Sequence, residues 1–175
     1  METMKCTSCG ETVLSTDKFC KQCGKSPISE RVWIFQADPE RYEIIKALKD
    51  DEIGDEMHWS VNQYKQEIKK GHTGIIWQSG EKAGIYAITK ILTDPTVMEE
   101  SDAEKEYWLD PKDEEGAKLR VKMKITKLRS PLLKEKIKST NGLQYMSIFR
   151  SPRGTNFPVK PDEWNIIRDL IIWNQ

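Results

Sequence analysis

His58-Trp59-Ser60-Val61, then Trp77-Gln78-Ser79-Gly80, then Gly84-Ile85-Tyr86-Ala87 decide how this chain is read. The order is strand, short amphipathic helix, strand, tight turn, strand, with a tryptophan on each of the first two strands. Two flat aromatic faces near one concave sheet surface suit a flat ligand such as a nucleic-acid base. Upstream, Val32-Trp33-Ile34-Phe35 is an apolar run suited to a buried strand. Asp38-Pro39 then opens a helix, with aspartate at the N-cap and proline at the first helical position. Tyr42, Ile44, Ile45 and Leu48 form its apolar face, and Asp50-Asp51 ends it. Gln63 to Lys70 reads as a helical turn or two stopped by Gly71, and Gly74–Ser79 and Gly84–Leu92 pair around a turn at Gly80.

Downstream, the acidic stretch from Met98 to Gly116 reads as a loop anchored by Tyr107-Trp108-Leu109. From Ala117 to Leu128, Leu119, Val121, Met123 and Ile125 alternate with Lys118, Arg120, Lys122 and Lys124, the pattern of a half-buried strand with a basic outer face. Leu132–Lys138 reads as helical, Leu143–Phe149 as an apolar run of either type, and Lys160-Pro161-Asp162-Glu163 opens a last helix with Trp164, Ile167, Leu170 and Ile171 as its buried stripe. Trp33, Trp164 and Trp173 are expected in the core. The fold class expected is α+β, a mixed, curled sheet with peripheral helices.

The formal net charge of zero hides an asymmetry. Glu81–Gly116 holds 11 acids against 4 bases, whereas Ala117–Lys160 holds 12 bases and the single acid Glu135. A clustered basic segment can supply phosphate contacts in a neutral chain, or the two segments can neutralise each other across a sheet. No run of 18 apolar residues and no apolar signal-peptide core occurs, so a soluble, intracellular, cytoplasmic protein is expected.

All four cysteines fall in the first 23 residues, as Cys6-Thr7-Ser8-Cys9-Gly10 and Cys20-Lys21-Gln22-Cys23-Gly24. Each C-x-x-C puts two thiolates on one tight turn, and the following glycine lets the backbone bend beneath them. Two such knuckles offer Cys6, Cys9, Cys20 and Cys23 to one tetrahedral Zn²⁺, and four thiolates leave no position for a catalytic water. The expectation is a structural zinc ribbon over residues 1–26, with Val13, Leu14 and Phe19 as its few apolar candidates, then a linker at 27–31.

Beyond the ribbon, residues 32–175 resemble an EVE domain. The likeness lies in Trp33-Ile34-Phe35-Gln36-Ala37-Asp38-Pro39, in Trp59-Ser60-Val61-Asn62-Gln63-Tyr64 and on to Gly71, and in Ile76-Trp77-Gln78-Ser79-Gly80 with Ala83-Gly84-Ile85-Tyr86-Ala87. Gly154-Thr155-Asn156-Phe157-Pro158-Val159 with Pro161-Asp162-Glu163-Trp164 is similar to the closing motif. The resemblance implies a PUA-like curled β-barrel with flanking helices, related to the YTH readers of methylated adenine. It implies a non-catalytic module that recognises a modified base, above all modified cytosine in DNA. Trp59 and Trp77 are then the expected walls of the base pocket, with Asp38, Ser60, Gln63 and Asn156 as edge-reading candidates. Lys65, Lys69, Lys70, Lys122, Lys124, Arg150, Arg153 and Lys160 are the candidate phosphate contacts. An RNA-binding PUA-like module for tRNA or rRNA and a protein adaptor built on the ribbon are the competing readings, and a nuclease or other effector would be a separate protein. An enzyme is not expected: His58 and His72 are the only histidines, and neither falls in a nucleophile or metal motif.

Overall fold

In the ribbon, two short strands carry the cysteine knuckles: β1 (Thr3–Lys5) pairs antiparallel with β2 (Thr12–Leu14), Met4 facing Val13. The computed structural model describes residues 2–6, 9–14, 16–25, 27, 30–114, 116–151 and 153–173, the side chains of Glu114 and Trp173 excepted. The expected core role of Trp173 and part of the 27–31 linker therefore lie outside the described residues. The chain divides into two compact units, Met1–Arg31 and Val32–Gln175. In the first, both knuckles close alike. Gly10 N–H donates to the Cys6 carbonyl and Gly24 N–H to the Cys20 carbonyl, with both glycines left-handed at φ 76° and 71°. Among the described residues, Cys6, Val13 and Cys20 form the ribbon's buried apolar cluster, with Met4 and Cys23 against them. Phe19, expected in this small core, is 68% exposed instead.

The second unit is built on a seven-stranded sheet in the order β4-β8-β6-β5-β3-β9. These strands are β3 (Val32–Ala37), β4 (Glu56–Ser60), β5 (Thr73–Gln78), β6 (Gly84–Ile91), β8 (Lys118–Leu133) and β9 (Asn156–Val159), while β7 (Thr96–Met98) pairs with the start of β8. β3 and β5 run parallel and the other pairs are antiparallel. Between Ile85 and Ala87 the register of β6 against β8 jumps from Leu132 to Lys127, so one residue of β6 opposes four of β8. Such a bulge bends the longer strand and adds twist, which curls the sheet.

Strand alternation sorts the apolar side chains onto two faces. On one lie Trp33, Phe35, Trp59, Ile76, Ala87, Val121 and Met123, and on the other Ile34, Ile75, Trp77, Ile85 and Phe157. The second face also packs Ile137 of α4 (Lys134–Lys138), Ile148 of α5 (Ser147–Arg150), and Trp164 and Ile167 of α6 (Pro161–Trp173). The remaining helices are single turns: α1 (Ile44–Ala47), α2 (Asp102–Lys105) and α3 (Pro111–Glu114).

Four local expectations are corrected. Asp38 does cap a turn, its carboxylate accepting from Glu40 N–H at 3.0 Å. The helix does not continue from there, because the backbone at Tyr42 bridges to Trp108, and α1 starts only at Ile44. No helix forms over Gln63–Lys70: Tyr64 is left-handed (φ 55°), a conformation a right-handed helix cannot absorb. β8 runs on through Leu133, so the expected helix shortens to α4. The basic side of β8 is not wholly outward either. Lys122 and Lys124 face solvent and pair with Glu56 and Asp55 at 2.7 and 3.6 Å, but Arg120 is completely buried. Met98 and Glu100 cover it: its Nη1 donates to the Met98 carbonyl at 2.6 Å and its Nε lies 3.7 Å from Glu100 Oε1. Among the described residues, no helix is long and apolar enough to cross a membrane.

Candidate functional site

The parallel pair β3/β5 ends in a cavity of about 580 Å³. The strands deliver Gln36 and Ala37 to it, Ser79 follows from β5, and His58, Trp59 and Ser60 come from β4. Trp59 is 8% exposed and meets Phe35 edge-on, ring centroids 6.3 Å apart. Opposite in sequence rather than in this motif, Glu100, Trp108, Asp113 and Lys118 also line the cavity. The segment from Met98 to Gly116 is thus a strap rather than a free loop. It is tied to the turn at 38–43 by the Tyr42–Trp108 bridge, with their rings 4.8 Å apart, and by two bonds from Arg41 to the Asp113 carboxylate at 2.9 and 2.6 Å. The Lys118 ammonium donates to the Asp113 carbonyl and stands 5.8 Å from the Trp108 ring centre.

One side of the cavity is held by a reciprocal amide lock. Asn156 Oδ1 accepts from the N–H groups of Asn62 and Gln63 at 2.8 and 3.1 Å, and its Nδ2 donates to the Ser60 carbonyl at 3.2 Å. In return, Gln63 Oε1 accepts from the N–H groups of Thr155 and Asn156, both at 3.0 Å. Gln36 Nε2 adds a bond to the Gly154 carbonyl at 2.8 Å. The lining residues Ser60, Asn62, Gly154 and Thr155 are placed by these bonds.

Behind the strap sits an acid pin. Glu104 is buried and its carboxylate accepts from His58 N–H (2.6 Å), His58 Nδ1 (2.7 Å), Ser101 N–H (3.0 Å) and Ser101 Oγ (2.7 Å). Burial alone would raise its pKa, but these bonds outweigh burial and hold the carboxyl below its ordinary value of 4.5. A lowered folded-state pKa contributes stability that is fully present above the unfolded value and is lost as the pH falls through the folded one. Glu104→Gln should therefore be less stable than the wild type at pH 7, and the two stability curves should converge as the pH falls below the ordinary carboxyl value of 4.5 and through the lowered folded-state one. Thermal melts across that range would show it; parallel curves would remove Glu104 from the acid transition. Glu100 differs: burial raises its pKa, against the bond from Trp108 Nε1 (2.6 Å) and the charge of Arg120. Tyr42 is pushed well above the phenol range by burial and by the two glutamates.

Of the residues singled out in the sequence, the cavity gathers Trp59, Ser60, Asp38 and Arg153. Trp77 is not among its walls. It is 2% exposed on the opposite face of the sheet, edge-on to Phe149, because plain strand alternation sets it on the side of Ile75, away from Ile76. Gln63 and Asn156 do not line the cavity either; their amides are used in the lock. Lys69 and Lys70 precede β5 and Lys160 follows β9, so all three stand at the end of the sheet away from the cavity. Lys65 is exposed on the connection between β4 and β5, and Arg150 is exposed in α5. Tyr42, Arg41, Asn62, Glu100, Trp108 and Lys118 line the cavity without having been singled out. The signal for them was the aromatic pair Tyr107-Trp108 inside an otherwise acidic run.

In the ribbon, the Sγ atoms of Cys6, Cys9, Cys20 and Cys23 all lie within 4.8 Å of one another. Cys6–Cys23 and Cys9–Cys20 are 3.8 and 3.6 Å apart. Sulfurs about 2.3 Å from one tetrahedral ion would stand about 3.8 Å apart, so the four residues fit a single metal ion.

The EVE domain family model matches residues 31–170, most of the chain and all of the sheet that forms the cavity. This chain belongs to the EVE domain family. Its fold is shared with a hypothetical protein from Leishmania major, at TM-score 0.58 and 16% identity, covering 82% of this chain and 95% of that one. A Rhodopseudomonas palustris protein is similar at TM-score 0.58 and 16% identity, covering 83% and 95%. Human THYN1 protein, solved in complex with 5-methylcytosine-containing DNA, is similar at TM-score 0.57 and 16% identity, covering 81% of this EVE chain and 97% of its own. No curated protein matches.

Proposed function

We propose that this EVE domain is a non-catalytic reader that binds DNA carrying a modified base, most simply a modified cytosine, in the cavity between β4 and the strap. The observation that carries the reading is the cavity itself: about 580 Å³, walled by the indoles of Trp59 and Trp108, with Ser60, Asn62 and Thr155 as polar groups. Pockets of this size suit small flat ligands, and stacking on aromatic faces holds a base that has left its helix. Arg153 lines the same cavity and offers a phosphate contact, with exposed Lys65 and Arg150 as further candidates; Lys69, Lys70 and Lys160, at the far end of the sheet, and Lys122 and Lys124, paired with Glu56 and Asp55, are left out of the proposed set. The complex of the similar human THYN1 protein with 5-methylcytosine DNA supports DNA as the partner. His58 lines the cavity with its Nδ1 bonded to a buried carboxylate that also caps α2, the arrangement of a structural pin. The ribbon cysteines, all thiolate donors in tetrahedral spacing, suit Zn²⁺ in a structural role.

The test is fluorescence-anisotropy binding of matched single- and double-stranded DNA and RNA, with and without 5-methylcytosine, for the wild type, Trp59→Ala and Trp108→Ala. A stacked base contributes about 1–3 kcal/mol, so each variant should weaken modified-DNA binding about 5- to 150-fold. Binding that ignores the modification and survives both substitutions would refute the pocket. A preference for modified RNA would place the protein with the RNA-binding PUA-like modules.

A further inference from the structure

Glu100 is a buried carboxylate with unused acceptor capacity on the wall of the cavity. Its side chain is 5% exposed and it lines the cavity from the stretch between β7 and α2. One oxygen accepts from Trp108 Nε1 at 2.6 Å. The other lies 3.7 Å from Arg120 Nε, too far for a hydrogen bond. A carboxylate offers about four lone-pair sites, and one of these is filled. Arg120 stands behind it, completely buried, with Nε and Nη2 bonded to nothing among the described residues. It balances the charge of Glu100 without saturating its oxygens. The other charged pair at the cavity, Arg41 and Asp113, is already joined by two bonds. Glu100 is therefore the buried acceptor that a ligand's N–H group can complete. A buried acceptor left facing a lone pair instead is strongly unfavourable.

We infer that Glu100 sets the base specificity of this cavity by accepting from an exocyclic amino group, so that it takes a cytosine and rejects a thymine carrying the same 5-methyl group. The two bases share shape and methyl but differ along one edge: cytosine presents the N4 amino donor beside the N3 acceptor, thymine the O4 acceptor beside an N3–H donor, so an acceptor set at the exocyclic position meets a donor in one and a lone pair in the other. This rests on the reading that the cavity holds a modified base. Trp108 belongs to the same device, since its indole is fixed by the bond that its Nε1–H donates to Glu100.

The experiment uses the full chain and three single-stranded oligonucleotides that differ at one central base: cytosine, 5-methylcytosine or thymine. The wild type should bind 5-methylcytosine roughly 10- to 100-fold more tightly than thymine. Glu100→Gln keeps an oxygen for Trp108 and can turn its amide to donate to thymine. It should bring the two ligands within about 3-fold of each other while keeping the preference for 5-methylcytosine over cytosine. Glu100→Asp keeps the charge beside Arg120 but withdraws the acceptor, and should weaken 5-methylcytosine without gaining thymine. Equal wild-type affinities for 5-methylcytosine and thymine would overturn the inference with no variant needed. An unchanged ratio in folded Glu100→Gln, with the preference for 5-methylcytosine over cytosine intact, would overturn it and leave the base-pocket reading standing. A wild type indifferent to all three bases would overturn both.

Discussion

Replacing Asn156 with alanine should lower the stability of the Val32–Gln175 unit by about 3–6 kcal/mol and abolish ligand binding at the cavity. Asn156 is 1% exposed, and three backbone groups depend on its side chain: the N–H groups of Asn62 and Gln63 and the carbonyl of Ser60. Each buried backbone group left without a partner costs about 1–3 kcal/mol, and partial hydration of the surface side of the turn lowers the sum. For a unit of this size the loss corresponds to a fall in melting temperature of roughly 6–24 °C. The binding effect has the same cause. Ser60 and Asn62 line the cavity, and without the amide they are held only by the continuity of the strand. Asn156→Asp separates the two roles of the side chain. It keeps an acceptor for the two N–H groups but sets a carboxylate oxygen against the Ser60 carbonyl, so it should fall between wild type and Asn156→Ala. Melting curves for the three proteins give the order, and a loss below about 1 kcal/mol in Asn156→Ala would mean that water replaces the amide.

The lock also shows what a one-dimensional reading of this chain reaches. Gln63 and Asn156 stand out in the sequence because both lie in family motifs, and the natural inference for a polar residue near Trp59 is contact with ligand. Their actual partners are 93 residues apart in the chain, a relation no local pattern carries. The strands that build the frame were legible because their signals are local: the apolar run at Val32–Phe35, the turn at Gly80, the alternation from Leu119 to Ile125. The four cysteines were legible for the same reason. Trp108 was not, because an acidic run with short polar spacers resembles a solvated loop. What makes it a wall is mostly distant: the tilted contact with the Tyr42 ring and the Arg41–Asp113 pair, with the nearer bond to Glu100. Arg120 is the sharpest case. In the alternation of β8 it is indistinguishable from Lys122 and Lys124, and only the strap folding over it turns a surface charge into a buried one. Trp77 fails on a finer point, since both tryptophans do sit in strands. β5 is buried at every position, so both of its faces read as apolar, and nothing local marks which one, that of Ile76 or that of Ile75 and Trp77, turns toward the cavity.

Removing the metal from the cysteine cluster should unfold the ribbon while leaving the EVE domain folded. Among the described residues, the ribbon's own apolar cluster buries three side chains, Cys6, Val13 and Cys20, and two of these are the proposed metal ligands. Its sheet is two strands of three residues each. A hairpin of that size does not hold by itself in water. Zinc bound by four cysteines contributes about 10–16 kcal/mol of apparent free energy, which in so small a unit is the folding free energy. A chelator strong enough to strip the site should therefore release one equivalent of zinc and erase amide-exchange protection from the ribbon strands. Cys20→Ser should do the same without chelator. The melting temperature of the Val32–Gln175 unit should not move, because it has its own core and shares no ligand with the ribbon. Elemental analysis of the purified chain distinguishes zinc from iron, which four thiolates also accept. If the ribbon keeps its protection after the metal is gone and under reducing conditions, the cysteines are not what holds it. If modified-DNA binding by the chelated chain equals that of the intact one, the reader function belongs to the EVE domain alone and the ribbon serves another contact.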